Sequence, residues 1–320
     1  MRVLLVGGAG YIGSHTALAF LDGGHRIGIF DNFSTGDRGN IPEGCRVYEG
    51  DIMDGESLQE ALSQGWDAVV HLAACKAAGE SMEQPEKYSR NNIAGSLNLI
   101  TGCTAYKIPS FILSSSAAVY GEPRYLPIDE SHPTNPENYY GYTKLSIEGH
   151  LAWYDRLKDL KFASLRYFNA AGYDTRGRMR GKEREPANLI PVVMETAVGT
   201  REKLQIFGDD YDTKDGTGVR DYIHVTDLAD AHVRAAEYLH EHRSSLTVNL
   251  GSESGLSVKE ILEKTREISG KPIPAEITGR RPGDPAKLVA SSAYARKVLG
   301  WKALWSDLET IIASTWEIYR

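Results

Sequence analysis

The chain has 320 residues, of which 41 % are hydrophobic and 25 % charged. That is the balance of an ordinary globule with one large core, or a core and a smaller attached unit. The formal net charge of −7 argues against a nucleic-acid partner, so an anionic substrate would have to be held by a few placed cations. Cys45, Cys75 and Cys103 show no paired spacing and the histidines are scattered, which predicts neither a disulfide framework nor a metal site. No apolar run reaches membrane length. The first strand follows Met1 almost at once, leaving no room for a signal peptide, and this predicts a cytoplasmic protein.

Val3 to Val6 is an all-apolar run of the kind that makes a strand buried on both faces of a parallel sheet. It runs into Gly7, Gly8, Gly10 and Gly13, and SHTALAFLDGG then has the spacing of a helix with Ala17, Leu18, Phe20 and Leu21 facing a core. Strand, glycine turn and helix make an anion site, because the helix N-terminus offers unpaired N–H groups and glycines let a pyrophosphate approach the backbone. With 32 glycines, three at fixed offsets arise by chance roughly 0.3 times, so context must carry the motif. Arg26 to Phe30 supplies that context as a second strand ending in Asp31, whose carboxylate suits an adenosine ribose and repels a 2′-phosphate. The expected ligand is NAD; the competing reading is a plain turn with a helix-capping Asp.

After a polar stretch, Arg46 to Gly50 is a third strand ending in Asp51 and Ile52. Asp51 suits an adenine amino group or the N-cap of the helix that follows. Asp67 to Ala74 is a fourth strand, with Lys76 at its carboxyl end, where open α/β sheets bind ligands. Glu83 to Ala105 has helical spacing and carries Asn91 and Asn92. Phe111 to Leu113 is a fifth strand leading into Ser114, Ser115 and Ser116. A proline-rich loop leads to a long helix beginning near Tyr139, and Phe162 to Phe168 is a sixth strand. From Asn169 the sequence turns glycine-rich, charged and non-periodic, which predicts an exposed loop between domains. A helix over 226–240 and a strand near 246–250 return to the first domain, and the last 65 residues hold two or three helices. Alternating strands and helices predict a doubly wound parallel sheet of Rossmann type, with a smaller C-terminal α/β domain. The domains expected are 1–168 plus 222–252 for the dinucleotide and 169–221 plus 253–320 for the substrate.

A nicotinamide cofactor takes a hydride and leaves the protein to supply a base. Tyr140 and Lys144 are four residues apart on a helix and share a face, so the ammonium can favour the phenolate. Chance alone gives roughly one such Tyr-x-x-x-Lys pair in a chain of this composition, and Tyr154 with Lys158 is a second. Fourteen residues of helical rise separate the pairs by about 21 Å, so only one can reach the nicotinamide. Tyr140, at the helix start, is the better placed, and Ser116 is the third partner expected.

These residues together give a chain that resembles the extended short-chain dehydrogenase/reductase superfamily, and within it the UDP-glucose (UDP-galactose) 4-epimerases. Gly7-x-x-Gly10-x-x-Gly13, SSSAAVYG around Ser116 and Tyr140-x-x-x-Lys144 carry the superfamily. KAAGES from Lys76, LRYFN ending at Asn169 and DGTGVRDYIHVTDLADAH from Asp215 resemble epimerases in particular. The resemblance implies that Tyr11, Ile12, Asp31, Asn32, Asp51, Ile52, Leu72, Ala73, Ala74, Lys76, Asn91 and Phe168 line the NAD site with the three glycines, Ser116, Tyr140 and Lys144. It implies a UDP-sugar held by Asn169, Asn188, Leu189, Gln205, Ile206, Phe207, Arg220, Arg281 and Asp284. Two arginines suit a diphosphate, Phe207 a uracil face and Asp284 a ribose. It also implies a homodimer, through the helix near Asn91 and the helix of Tyr140.

Some positions depart from the family pattern. The loop Arg176 to Pro186 is more basic, Ala187 replaces the first of a common Asn pair, and Leu72 stands where an aromatic is frequent. Leu288 falls where the family has a size-determining residue beside the sugar 2-position, which predicts that N-acetylated UDP-hexoses also fit. The alternatives are a 4-epimerase of a UDP-pentose or UDP-uronate, a nucleotide-sugar 4,6-dehydratase, and a non-catalytic NAD-sensing regulator. A dehydratase needs an acidic pair beside Ser116, where this chain has Ala117 and Ala118. A regulator needs no base.

Overall fold

The computed structural model describes every residue except Arg184, Glu185, Ala187, Pro282 and Gly283. Its first half alternates strand and helix: β1 (Arg2–Val6), α1 (Tyr11–Asp22), β2 (Arg26–Asp31), β3 (Arg46–Glu49), α2 (Gly55–Leu62) and β4 (Ala68–His71). Then follow α3 (Ala78–Glu83), α4 (Pro85–Tyr88), a wide π-type turn over Ser89–Ala94, α5 (Gly95–Ala105), β5 (Ser110–Ser116), α6 (Tyr139–Lys158) and β6 (Lys161–Tyr167). The second half runs β7 (Asn169–Ala171), α7 (Leu189–Ala197), β8 (Leu204–Phe207), β9 (Val219–Arg220), β10 (Tyr222–His224), α8 (Val225–His242) and β11 (Leu246–Leu250). It closes with β12 (Leu256–Ser257), α9 (Val258–Ser269), β13 (Ala275–Thr278), β14 (Lys287–Leu288), α10 (Ala293–Leu299) and α11 (Leu308–Tyr319).

Seven parallel strands form the main sheet in the order β11-β6-β5-β4-β1-β2-β3. Strand direction alternates side chains between faces, and both faces are covered. Val3 and Leu5 pack with Phe20 of α1 and Leu228 of α8, whereas Leu4 and Val6 pack with Leu62 of α2, Leu99 of α5 and Ile147 of α6. That double burial explains the unbroken apolar runs in the sequence. The order reverses between β1 and β4, and a ligand crevice opens at such a switch point. β11 completes the sheet beside β6, in parallel register from Leu246 opposite Ala163 to Leu250 opposite Tyr167.

A smaller body packs α7, α9 and α11 around β8 and β13, with Val193, Ile206, Ile261 and Ile312 at its centre. Between the two lie short pairs: β7 with β10, and β9 with β12 and β14. The fourth strand stops at His71, short of the expected Ala74, because the N–H groups of Leu72 and Ala73 both turn onto the Val6 carbonyl. The helix expected over 83–105 is broken into α4, the π-type turn and α5.

Candidate functional site

The glycine turn is built for close approach. A Cβ on Gly7, whose φ is +85°, would lie 2.6 Å from the Ala73 nitrogen, and one on Gly13 would run into the Gly7 carbonyl. Gly10 caps α1 without a side chain, and the first turn of the helix carries no acid. The N–H groups ahead of Ser14 therefore face the crevice, with the helix dipole favouring an anion. Asp31, at the end of β2, braces the turn: its carboxylate accepts from the N–H of Ala9 at 2.9 Å and of Phe33 at 2.9 Å. Asp51 accepts from Asn32 Nδ2 at 2.7 Å and from the Met53 N–H, and the N-cap of α2 is Asp54 instead. This donor set fits an adenosine and a pyrophosphate laid along the turn.

Not every expected side chain faces the crevice. The Ile52 side chain is buried against Gly95, and its carbonyl accepts from Asn98 of α5. Tyr11 sends its hydroxyl to the Gly172 carbonyl and its ring between His15 and Tyr173, so its part at the turn is its backbone. Lys76 pairs with Glu183 from the loop after β7, a partner that sequence spacing does not show. Asn91 leans on Asn92, which the sequence did not place in the site. Asn92 is fully buried in the π-type turn and bonds both the N–H and the carbonyl of Cys75, fixing the chain after β4. Its signal was a second amide on an otherwise packable helix. Phe168 packs beside Ala117, Leu145 and Leu288 over Tyr120 and Ile128.

Tyr140 lies in the first turn of α6, which Asn138 caps through the Gly141 N–H while Ser81 accepts the N–H of Tyr140 itself. Lys144 follows one turn later, buried, and donates Nζ to the Ser114 carbonyl at 2.8 Å. Its ammonium sits 5.8 Å from the centre of the Tyr140 ring. Burial pushes the Tyr140 phenol up to about 12, with a hydrogen bond to Ser116 opposing the rise. Burial pulls Lys144 down to about 8, against the attraction of Glu148. Burial is thus the largest influence on the Tyr140 phenol, and it acts against the phenolate that a neighbouring cation favours. Tyr154, of the rival pair, packs against the core beneath α6 and its hydroxyl bonds that of Thr101 on α5.

Beyond the crevice lies a cavity of about 680 Å3. Asn169, Asn188, Leu189, Gln205 and Phe207 line it, as do Arg220, Arg281 and Asp284. Ile206 does not, because alternation along β8 turns it into the core of the smaller body. Two of the arginines in the lining are engaged with neighbours that also line it. Arg220 is ion-paired with Asp284, and the Arg281 guanidinium lies 3.7 Å from the centre of the Phe207 ring. Tyr222 and Val192 also line the cavity, with no sequence signal beyond their apolar character. Pro186 reaches the same wall, whereas Ala187 and the Pro282–Gly283 step of the turn before Asp284 lie outside the described residues.

A dinucleotide turn at a topological switch point, with a serine, a tyrosine and a lysine converging at the carboxyl edge of the sheet, defines a nicotinamide-dependent enzyme of the short-chain dehydrogenase/reductase kind. The family model described as NAD dependent epimerase/dehydratase family matches residues 3–251. A UDP-glucose 4-epimerase of Corynebacterium glutamicum is 47 % identical over 99 % of this chain and 95 % of its own. The crystal structure of the UDP-glucose 4-epimerase of Brucella ovis in complex with NAD superposes with a TM-score of 0.97 at 44 % identity, covering 99 % of this chain and 98 % of that one. A UDP-glucose 4-epimerase of Stenotrophomonas maltophila, with bound NAD and formylated UDP-arabinopyranose, matches at a TM-score of 0.96 and 38 % identity, covering 100 % and 98 % of the two chains. The chain belongs to the NAD-dependent epimerase/dehydratase family.

Proposed function

We infer that the chain is an NAD-dependent UDP-glucose 4-epimerase, interconverting UDP-glucose and UDP-galactose. The observation that carries this reading is the junction of two sites: the Ser116, Tyr140 and Lys144 cluster at the glycine crevice, and a cavity rimmed by Arg220, Arg281, Phe207 and Asp284 beside it. When bound, NAD takes the hydride from C4 of the sugar, returns it to the other face, and its positive ring favours the Tyr140 phenolate. Tyr140 then takes the 4-hydroxyl proton and gives it back, Ser116 shares that proton's path, and Lys144 holds a positive charge one turn below the phenol. Arg220 and Arg281 exchange their present partners for the diphosphate, freeing Asp284 for the ribose and Phe207 for the uracil. With the grip on the nucleotide half, the 4-keto sugar can turn over in the cavity. Incubating the purified protein with UDP-glucose and a panel of UDP-sugars, adding no NAD, tests the reading. Formation of UDP-galactose is expected, and its absence together with release of a dehydrated sugar would favour a dehydratase.

Leu288 on β14 pairs with Arg220 on β9 and packs with Phe168, which supports a place for it beside the sugar. UDP-N-acetylglucosamine is therefore a second substrate in this reading, and a complete lack of turnover on it rejects the extension. The working form is a homodimer. Ile147 and Leu151 are core residues, but Trp153 and Leu157 remain 56 % and 69 % exposed on the outer face of α6, four residues apart.

A further inference from the structure

Glu148 follows Lys144 by four residues on α6, as Lys144 follows Tyr140, so the three side chains descend one inward face of the helix. The Glu148 carboxylate is buried and fully engaged. Arg166 of β6 donates Nε at 3.0 Å and Nη2 at 2.5 Å, and Ser115 donates its hydroxyl at 2.6 Å. Arg166 also donates to the Tyr120 hydroxyl at 2.9 Å, which in turn donates to Asn249 on β11 at 2.6 Å. One carboxylate thus joins α6, β5 and β6 directly and β11 through two further side chains. Ser115 itself stands between Ser114, whose carbonyl receives Lys144, and Ser116, which bonds Tyr140.

A buried ion pair is a poor source of stability, since apolar residues of similar size often do as well. Its placement therefore asks for another reason. We propose that Glu148 is a positioning residue for the epimerisation: its carboxylate is the counter-charge of the Lys144 ammonium and, through Ser115, the tether that fixes the end of β5 against α6. The proposal rests on the roles given above to Tyr140 and Lys144.

The groups around Lys144 leave the task to Glu148. Tyr140 on the same helix and Tyr167 on β6 are phenols held neutral by burial. His71 at the end of β4 is neutral as well, its pKa lowered to about 3 by burial and by Lys144, with Nε2 on Ser96. Ser114 offers only a carbonyl, and Arg166 on β6 is a cation already spent on Glu148. Without the carboxylate, desolvation acts on Lys144 unopposed and its proton leaves at lower pH.

The test uses the full-length, NAD-loaded chain labelled with 13C-lysine, following the Lys144 ε-carbon shift with pH alongside kcat and KM for UDP-glucose. E148Q is expected to lower the Lys144 midpoint by about one pH unit or more and to move the alkaline fall of kcat down with it, leaving KM within about twofold. Because E148Q strands the Arg166 charge, which adds its own repulsion, the paired variant E148Q/R166M removes that charge and should show a smaller shift in the same direction. E148D, which retains the charge, should restore the midpoint. S115A keeps the charge but cuts the tether, and should lower kcat about tenfold with the midpoint in place. A folded E148Q/R166M with the parent midpoint and kcat profile overturns the proposal. If neither Glu148 variant folds, a parental kcat in S115A overturns it. An inactive parent chain would instead sink the functional reading, which separates the two failures.

Discussion

At the scale of single residues, the site is governed by a contest between desolvation and charge. Lys144 is buried and Tyr140 half-buried, and desolvation penalises the charged form of each, so the phenol rises to about 12 and the ammonium falls to about 8. In the NAD-free protein a phenolate signal from Tyr140, read as the absorbance difference between the parent chain and Y140F, should therefore appear only above about pH 11. NAD loading should bring it down, because a cation added beside the phenol favours its charged form. Y140F should lower kcat about a thousandfold while leaving KM for UDP-glucose nearly unchanged, since the base acts on the reacting proton and not on the nucleotide. The pairing of Tyr140 with Lys144 was legible from helical spacing alone. The order of their proton affinities was not, because spacing carries no measure of burial.

Among the elements, the glycine turn and the strands read true because their pattern is local. Glycine spacing, an apolar run and an acid at the next strand end all lie within 31 residues. G13A should abolish NAD retention through gel filtration while the smaller body stays folded, because its methyl would strike the Gly7 carbonyl under the pyrophosphate path. Elements whose role depends on distant partners were harder to see. The string DGTGVRDYIHVTDLADAH resembles epimerases, and two of its aspartates are joints between distant segments. Asp221 accepts from the N–H groups of Ser252, Glu253 and Ala290. Asp227 accepts from those of Leu304 and Trp305 and from the Ser306 hydroxyl. Only Arg220 of that string reaches the cavity with a charge. The break at Ser89–Ala94 was likewise hidden, since its cause is Asn92 reaching back to Cys75 and across to Thr143 of α6.

For the molecule as a whole, four buried histidines contribute to the response to acid. Burial lowers His71 to about 3 and His15, His224 and His232 to about 4, from an ordinary value near 6.5. Between those limits the unfolded chain binds more protons than the folded one, so stability rises with pH and is lost as pH drops below about 6.5. Each histidine removes up to about 1.4 kcal/mol per pH unit within that window. Thermal melting should accordingly fall steeply from pH 6.5 to 4.5, and H232Q should flatten the curve if it folds to the same structure. The exposed Trp153 and Leu157 make a second whole-molecule prediction. Under the proposed homodimer, W153K/L157K should halve the solution mass seen by light scattering, with melting of the monomer otherwise cooperative. Exposure of this kind is a property of the finished surface. On the inward face of the same helix, Ile147 and Leu151 belong to the core.

The position of β11 has a consequence for how the chain is made. The edge of β6 is complete by Tyr167, but the strand that covers it begins at Leu246, about 80 residues later. A ribosome moving at ~5–20 residues per second needs several seconds to supply it. Throughout that interval a nascent chain exposes a row of unpaired backbone groups, ready to pair with any neighbour emerging nearby. Chains terminated prematurely before residue 246 should thus go to inclusion bodies or chaperones, and translation speed across the intervening stretch becomes a lever on yield.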